Sequence, residues 1–300
     1  MYDLGMLLDR RGDLGEAEHW YRRAADAGHR EAMFEVGLLL RQRSDLAGAE
    51  QWIARAADAG HPTAMYDRGV TLKRRGDLAA AEYWYRRAAD AGDANAMSNM
   101  GVLMWEKGDP AAAEEWYGRA ADAGNTVAMS NLAFLLEQRG ESARAEDWCR
   151  RGAAAGETEA MFGLALLLLD REDPAGAEKW FGRAAEGGHV DGTANVALLL
   201  DQRGEKAAAE KWYRRAAEAG QGVAMCNFGI MLKRQGRLVE AESWFRSAVS
   251  VGYHEAMFNL GLVLEQQGKL AEAEDYLRRA AATGHGGAAF SLALLRQRMT

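Results

Sequence analysis

Along residues 61–92, "HPTAMYDRGVTLKRRGDLAAAEYWYRRAADAG", small and apolar side chains fall at helical spacing. Ala64, Tyr66, Gly69, Val70 and Leu72 mark one face, and "RRGDL" then breaks the pattern. Ala81, Trp84, Tyr85, Ala88 and Ala89 recur at steps of three and four, which defines a second apolar face. Gly76 suits the left-handed conformation that ends a helix, and Asp77 suits the cap of the next one. Gly92 stops the second helix. The segment therefore predicts a helical hairpin, two helices of about a dozen residues each.

The hairpin recurs. Its closing glycine stands at 28, 60, 92, 124, 156, 188, 220, 252 and 284, every step being 32 residues. Trp20, Trp52, Trp84, Trp116, Trp148, Trp180, Trp212 and Trp244 keep that step, Tyr276 takes the ninth place, and only Trp105 is out of register. Nine copies without an insertion or deletion predict one all-α repeat array over 1–300. Its copies are 1–28, 29–60, 61–92, 93–124, 125–156, 157–188, 189–220, 221–252 and 253–284, with 285–300 as a terminal capping helix. A hairpin this short cannot bury both faces alone, so neighbours must stack and share a core. The alanines allow close approach, while Trp84 and Tyr85 fill the space between hairpins, each burying on the order of 150–250 Å². The tryptophan series is thus structural and needs no cofactor to explain it.

The order Gly69, Leu72, Ala81, Tyr85, Ala88, and likewise Leu132, Ala133, Leu136, Ala145, Cys149, Gly152, resembles the small-and-large spacing of tetratricopeptide repeats. The joins between hairpins, such as "RAADAGHPTAMYDRG" at 55–69, are similar to the Sel-1-like branch of that clan, with its A-A-x-x-G-x-x-x-A pattern. Sel-1-like units are usually longer between their helices, whereas "RRGDLAA" is a short turn of the tetratricopeptide type. The resemblance covers the whole chain. It implies a right-handed alpha-alpha superhelix that serves as a scaffold, with the first helix of each hairpin lining a concave groove.

Composition narrows the class further. Only three prolines occur, and hydrophobic residues at 48% with charged residues at 27% describe a folded chain, not a disordered one. The formal net charge of −7 is spread along the length, which leaves no basic stripe for nucleic acid and no polybasic tract for a membrane surface. Cys149 and Cys226 are too few and too far apart for a disulfide framework or a zinc site, and they fit a reducing cytoplasm. No apolar run approaches the roughly 20 residues of a membrane span.

Two positions of the first helix suggest where a partner sits. One runs Asp3, Glu35, Asp67, Asn99, Asn131, Gly163, Asn195, Asn227, Asn259, an asparagine ladder behind an acidic entrance. An amide offers both a donor and an acceptor, so such a ladder could hold the backbone of an extended peptide; equally, each Asn could bond a neighbouring helix. The preceding position runs from aromatics at Tyr2, Phe34 and Tyr66 to Ser98 and Ser130 in the middle copies, which would open space there. Trp105 stands where other copies place Arg41, Lys73, Glu137 or Asp201, and Leu169 holds the same place two copies later. A tryptophan at an otherwise charged position is a candidate binding anchor. The expected surface centres on Ser98, Asn99, Trp105, Ser130 and Asn131, and its ligand is a protein or an extended peptide.

Catalysis finds no constellation. His29, His61, His189 and His285 share one turn position a full copy or more apart, which suits capping or exposure better than metal ligation. No phosphate loop, H-E-x-x-H or G-x-S-x-G motif occurs. The glutamates at 18, 50, 82, 114, 146, 178, 210, 242 and 274 are expected to pair with arginines on their own or a neighbouring helix. No catalytic, cofactor or metal residue is assigned, and a non-enzymatic scaffold is the expected function. The alternative is the regulatory or sensor region of a larger protein with an effector domain upstream, suggested because Met1 falls inside a first helix. At the other end Arg296 replaces the leucine or methionine of other copies, as a capping helix requires.

Overall fold

The computed structural model describes residues 1–299. It is all-helical, with no strand among the described residues. The hairpins of the first half are α1 (Tyr2–Arg11) with α2 (Leu14–Asp26), α3 (Arg30–Gln42) with α4 (Leu46–Asp58), α5 (Pro62–Arg74) with α6 (Leu78–Asp90), α7 (Ala94–Glu106) with α8 (Pro110–Asp122), and α9 (Thr126–Gln138) with α10 (Ser142–Ala154). Those of the second half are α11 (Thr158–Asp170) with α12 (Pro174–Glu186), α13 (Val190–Gln202) with α14 (Lys206–Glu218), α15 (Gly222–Arg234) with α16 (Leu238–Ser250), and α17 (Ala256–Gln266) with α18 (Leu270–Ala282), followed by α19 (Ala288–Met299). The chain forms two compact units, Met1–Glu157 and Thr158–Thr300. Within each, consecutive helices pack on one another.

The turns explain the period. Gly76 has φ +84°, its N–H bonds Lys73 O at 3.0 Å, and the Asp77 N–H bonds Leu72 O at 3.1 Å. The same geometry closes the second helix at Gly92, where the Asp93 N–H bonds Ala88 O at 3.0 Å. These bonds satisfy carbonyls that a helix end leaves open, and a left-handed glycine makes them reachable. The turn therefore recurs every 16 residues, twice per copy; Ser44 and Glu172 alone among the described residues fill it without glycine. Asp45, Asp77, Asp109 and Asp173 then cap the second helices, as Asp77 does by accepting from the Ala80 N–H at 3.0 Å.

The core differs in one respect from the expected one. Trp84 and Trp116 are buried, but the other in-register tryptophans are half-buried. Deeply buried rings stand instead at the next residue, with Tyr21, Tyr85, Phe181 and Phe245 each at most 1% exposed. Tyr85 lies so close to Gly69 that a Cβ there would meet its ring at 2.6 Å, which is why the first helix carries glycine at this crossing. The indole instead forms the rim, covered by the arginine one turn on: Arg55 over Trp52 at 4.0 Å, Arg119 over Trp116 at 4.2 Å and Arg151 over Trp148 at 3.9 Å.

Neighbouring hairpins are stapled by the glutamate series. Glu50 accepts from Arg75 at 2.8 Å and Glu178 from Arg203 at 2.7 Å; Glu18, Glu82 and Glu114 pair likewise with Arg43, Lys107 and Arg139. The cation lies 25 residues after the glutamate. Where that place holds Gln235 or Gln267, Arg237 and Lys269 take over at 2.8 and 2.7 Å, at a position that elsewhere holds an acidic residue. The exchange leaves α16 and α18 without a side-chain cap bond. A lost cap costs about 1 kcal/mol, whereas a buried carboxylate stripped of its partner costs several kcal/mol. Glu242 is 8% exposed, so the ion pair wins. Burial pushes its carboxyl up, and hydrogen bonds from Lys269 and Arg246 outweigh that and hold it below the usual carboxylate range. Arg296 of α19 serves the last of the series, reaching Glu274 at 2.7 Å.

Candidate partner-binding surface

On the first helices of Met1–Glu157, the position of Trp105 is a rung between successive first helices. In two earlier copies the rung is ionic: Arg41 reaches Asp67 at 3.2 Å and Lys73 reaches Glu106 at 2.9 Å. At Trp105 it is aromatic. Its ring meets Phe134 of α9 edge-on, with centroids 6.3 Å apart and planes at 75°. Both remain open to solvent, Trp105 at 44% and Phe134 at 58%. Phe134 was not among the sequence candidates. The signal for it was the single aromatic in a series otherwise made of Leu, Val, Ile and Met, one turn beyond Ser130.

The polar candidates surround this pair. Ser98 is buried and Asn99 half-buried on α7; Ser130 and Asn131 are half-buried on α9. The Ser130 Oγ is buried with no protein hydrogen-bond partner. Burial raises the Tyr85 hydroxyl to about 12, with Tyr66 adding to the rise and the Asn99 amide opposing it. Asp67, at the acidic end, is half-buried; burial raises its carboxyl although Arg41 pulls it down.

The residues preceding the ladder face the seam between hairpins. Tyr2, Phe34, Phe162 and Phe258 each stack on the histidine that opens the next hairpin, His29, His61, His189 and His285, with centroids 4.2–4.5 Å apart. Three of these histidines also cap, Nδ1 accepting from the N–H groups of Ala32, Ala64 and Gly192 at 3.3, 3.2 and 3.1 Å. In each of these four pairs the aromatic and the histidine are separated by 27 residues, a correlation invisible at any single position. Where serine replaces the aromatic at Ser98, the seam is closed by Asn125 Nδ2 donating to Asn95 Oδ1 at 2.9 Å.

In Thr158–Thr300 the ladder is more occupied. Asn195 donates to the Asp191 carbonyl of its own helix at 2.8 Å, and Asn259 approaches the Cys226 sulfur at 3.8 Å. Asn227 is half-buried, and Leu169 packs against the hydrophobic core. Both thiols are buried; burial raises Cys149 to about 12 and Cys226 to about 11, which disfavours the nucleophilic thiolate. Among the described residues no group of His, Cys, Asp or Glu is arranged to hold a metal ion.

The repeat geometry agrees with the comparisons to known proteins. A tetratricopeptide repeat model matches residues 2–62, 53–96 and 228–288, together just over half of the chain. The chain belongs to the tetratricopeptide repeat family. A second tetratricopeptide model matches 126–151, and the Sel1 repeat model matches 94–125, 158–189 and 204–221. Matches to the two kinds of repeat thus alternate along one chain. Among solved structures, c5321, a protective antigen of uropathogenic Escherichia coli with an SLR fold, is 27% identical with a TM-score of 0.79, over 97% of this chain and 70% of that one. A Sel1 repeat protein from Oxalobacter formigenes is 24% identical with a TM-score of 0.66, over 92% and 89%. Yeast Tom70 shares the fold at 15% identity and a TM-score of 0.54, over 84% and 59%. No curated protein matches the chain. The tetratricopeptide and Sel1 repeats mark the chain as a protein–protein interaction scaffold.

Proposed function

We propose that this scaffold is a non-enzymatic binder that takes an extended peptide or protein segment along the first helices α7 and α9. The carrying observation is the solvent-open Trp105–Phe134 pair, which stands where earlier copies have ion pairs. Two aromatic rings in the open cost solvation unless a ligand covers them, and aromatics dominate interface energetics. Asn99 and Asn131 flank the pair and supply donors and acceptors for a peptide backbone. Asn195, Asn227 and Asn259 extend the same reading to the first helices of Thr158–Thr300, with Leu169 there as the counterpart of Trp105. A protein ligand is favoured over nucleic acid or a lipid surface by the net charge of −7. Among the described residues no helix is long and apolar enough to cross a membrane. A cytoplasmic location agrees with the two buried free thiols.

Selection of a displayed peptide library on the full chain tests this reading. Recovered peptides should share an apolar anchor residue, and Trp105→Ala or Phe134→Ala should weaken them about tenfold or more. Peptides that bind both variants as tightly as the parent protein overturn the assignment.

A further inference from the structure

Two residues after each aromatic of the second-helix series the chain places Arg22, Arg86, Arg150, Arg214, Arg246 and Arg278, but Ala54, Gly118 and Gly182 in the other three copies. Arg86 and Arg246 show what this arginine does. Arg86 lies 3.1 Å from Glu82 on its own helix, with its guanidinium carbon 5.7 Å from the Trp116 ring centre of the next hairpin. Arg246 lies 2.9 Å from Glu242, 2.7 Å from Glu272 and 5.8 Å from the Tyr276 ring centre. In these two copies the side chain lies between consecutive second helices, held by a carboxylate and an aromatic ring together.

Two of the three small-residue copies receive a substitute from the following hairpin. Beside Ala54, Arg68 of α5 covers Trp84 at 4.2 Å and bonds Asp58 at 2.7 Å. Its place is apolar in every other copy, for example Val36, Leu132 or Val196. Beside Gly118, Arg144 of α10 bonds Glu114 at 2.9 Å. Beside Gly182 the places of Arg68 and Arg144 hold Val196 and Ala208, which bring no charge. The furrow between α12 and α14 is a cleft of about 620 Å³, lined by Gly182, Glu178, Glu186, Val196, Ala208 and Trp212, against about 440 Å³ for the equivalent cleft beside Gly118, where Arg144 forms part of the wall. Arg203 on its wall is committed to Glu178 through bonds of 2.7 and 3.2 Å, and Arg183 lies over Trp180 at 4.6 Å.

We infer that this furrow is a socket for the arginine side chain of a partner protein, seated against Trp212 between Glu178 and Glu186. Arg86 and Arg246 supply the template, since in their furrows the chain seats its own guanidinium group against the ring of the next second helix. A planar guanidinium can stack on an indole while its edge bonds a carboxylate; a neutral isostere keeps the shape and loses the charge. The socket lies between the second helices α12 and α14, with Val196 of α13 also lining it, and owes nothing to Trp105. Lys179, also on the wall, is the internal competitor for the seat.

The test is a titration of the full chain, with its tryptophan indoles labelled with nitrogen-15, by N-acetyl-arginine methylamide, and in parallel by the citrulline analogue. The Trp212 indole signal, identified by its loss in Trp212→Phe, should move and saturate with the arginine compound while Trp105 stays still. The citrulline compound should bind about tenfold more weakly or worse. Gly182→Arg should abolish the response by filling the seat, because an added Cβ at Gly182 meets nothing within 4 Å. An unmoved Trp212, an equal response to citrulline, or an unchanged response in Gly182→Arg overturns the proposal. So does a response that appears only in Lys179→Ala, which assigns the seat to Lys179.

Discussion

Glu172 occupies a backbone position for which this chain otherwise selects glycine. Its φ is +59°, and Ser44 adopts +66° at the same turn four copies earlier, while the glycines of the series lie between +75° and +94°. A Cβ in the left-handed region crowds a backbone carbonyl, at about 1–2 kcal/mol. Glycine there returns part of the gain through the freedom it adds to the unfolded chain, about 0.5–1 kcal/mol. Glu172→Gly should therefore stabilise by roughly 0.5–1 kcal/mol. The Glu172 side chain is exposed, and its N–H bond to Leu169 O at 2.9 Å survives the change. Repeat arrays open locally, so the sharpest readout is amide exchange at Asp173, whose N–H bonds Leu168 O at 2.9 Å across the turn. Exchange there should slow about two- to fivefold, with a matching rise in the urea midpoint. The reciprocal Gly108→Glu, at φ +78°, should lose a similar amount. If Glu172→Gly leaves exchange unchanged while Gly108→Glu is tolerated, left-handed strain is not what selects glycine at these turns.

Two helix glycines should respond in opposite directions. Gly118→Ala adds a methyl with nothing within 4 Å and should gain about 0.8–1 kcal/mol of helix propensity. Gly101→Ala sets a Cβ 2.5 Å from the Tyr117 ring and should lose about 1–2 kcal/mol net through overpacking; urea midpoints of the two variants decide. A pH series tests the inter-hairpin staple. The hydrogen bond from Lys107 holds the Glu82 carboxyl below its ordinary value of 4.5, so the stabilisation is full above that value and fades as pH falls through the lower folded-state value. The stability gap between parent and Lys107→Met should close on acidification, whereas a gap constant with pH refutes the pairing.

Much of the architecture was legible because it is local. A left-handed glycine, a capping aspartate and apolar spacing at three and four act within a few residues, so the hairpin at 61–92 and its period needed no neighbour to be recognised. The candidate surface was legible only in part. Trp105 stood out as a break in a charged series, but nothing local tied it to Phe134, 29 residues away on the next first helix.

The remainder depends on which side chains meet when one hairpin is laid on the next. Within one hairpin the crossing of α6 over α5 at Gly69 made Tyr85, not Trp84, the centre of the core, and the stacking of hairpins decided the other pairings. The stacking joined His29, His61, His189 and His285 each to an aromatic 27 residues earlier and let Arg237 and Lys269 replace cations missing at Gln235 and Gln267. It also left the furrow at Gly182 wider than the one at Gly118 and without the additional arginine that Arg68 and Arg144 bring to its counterparts. Sequence alone determined the hairpin and its repetition, since those rest on contacts within one turn of helix or one tight turn. Tertiary structure decided the pairings, since side chains about a copy apart become neighbours only when packing sets the register between hairpins.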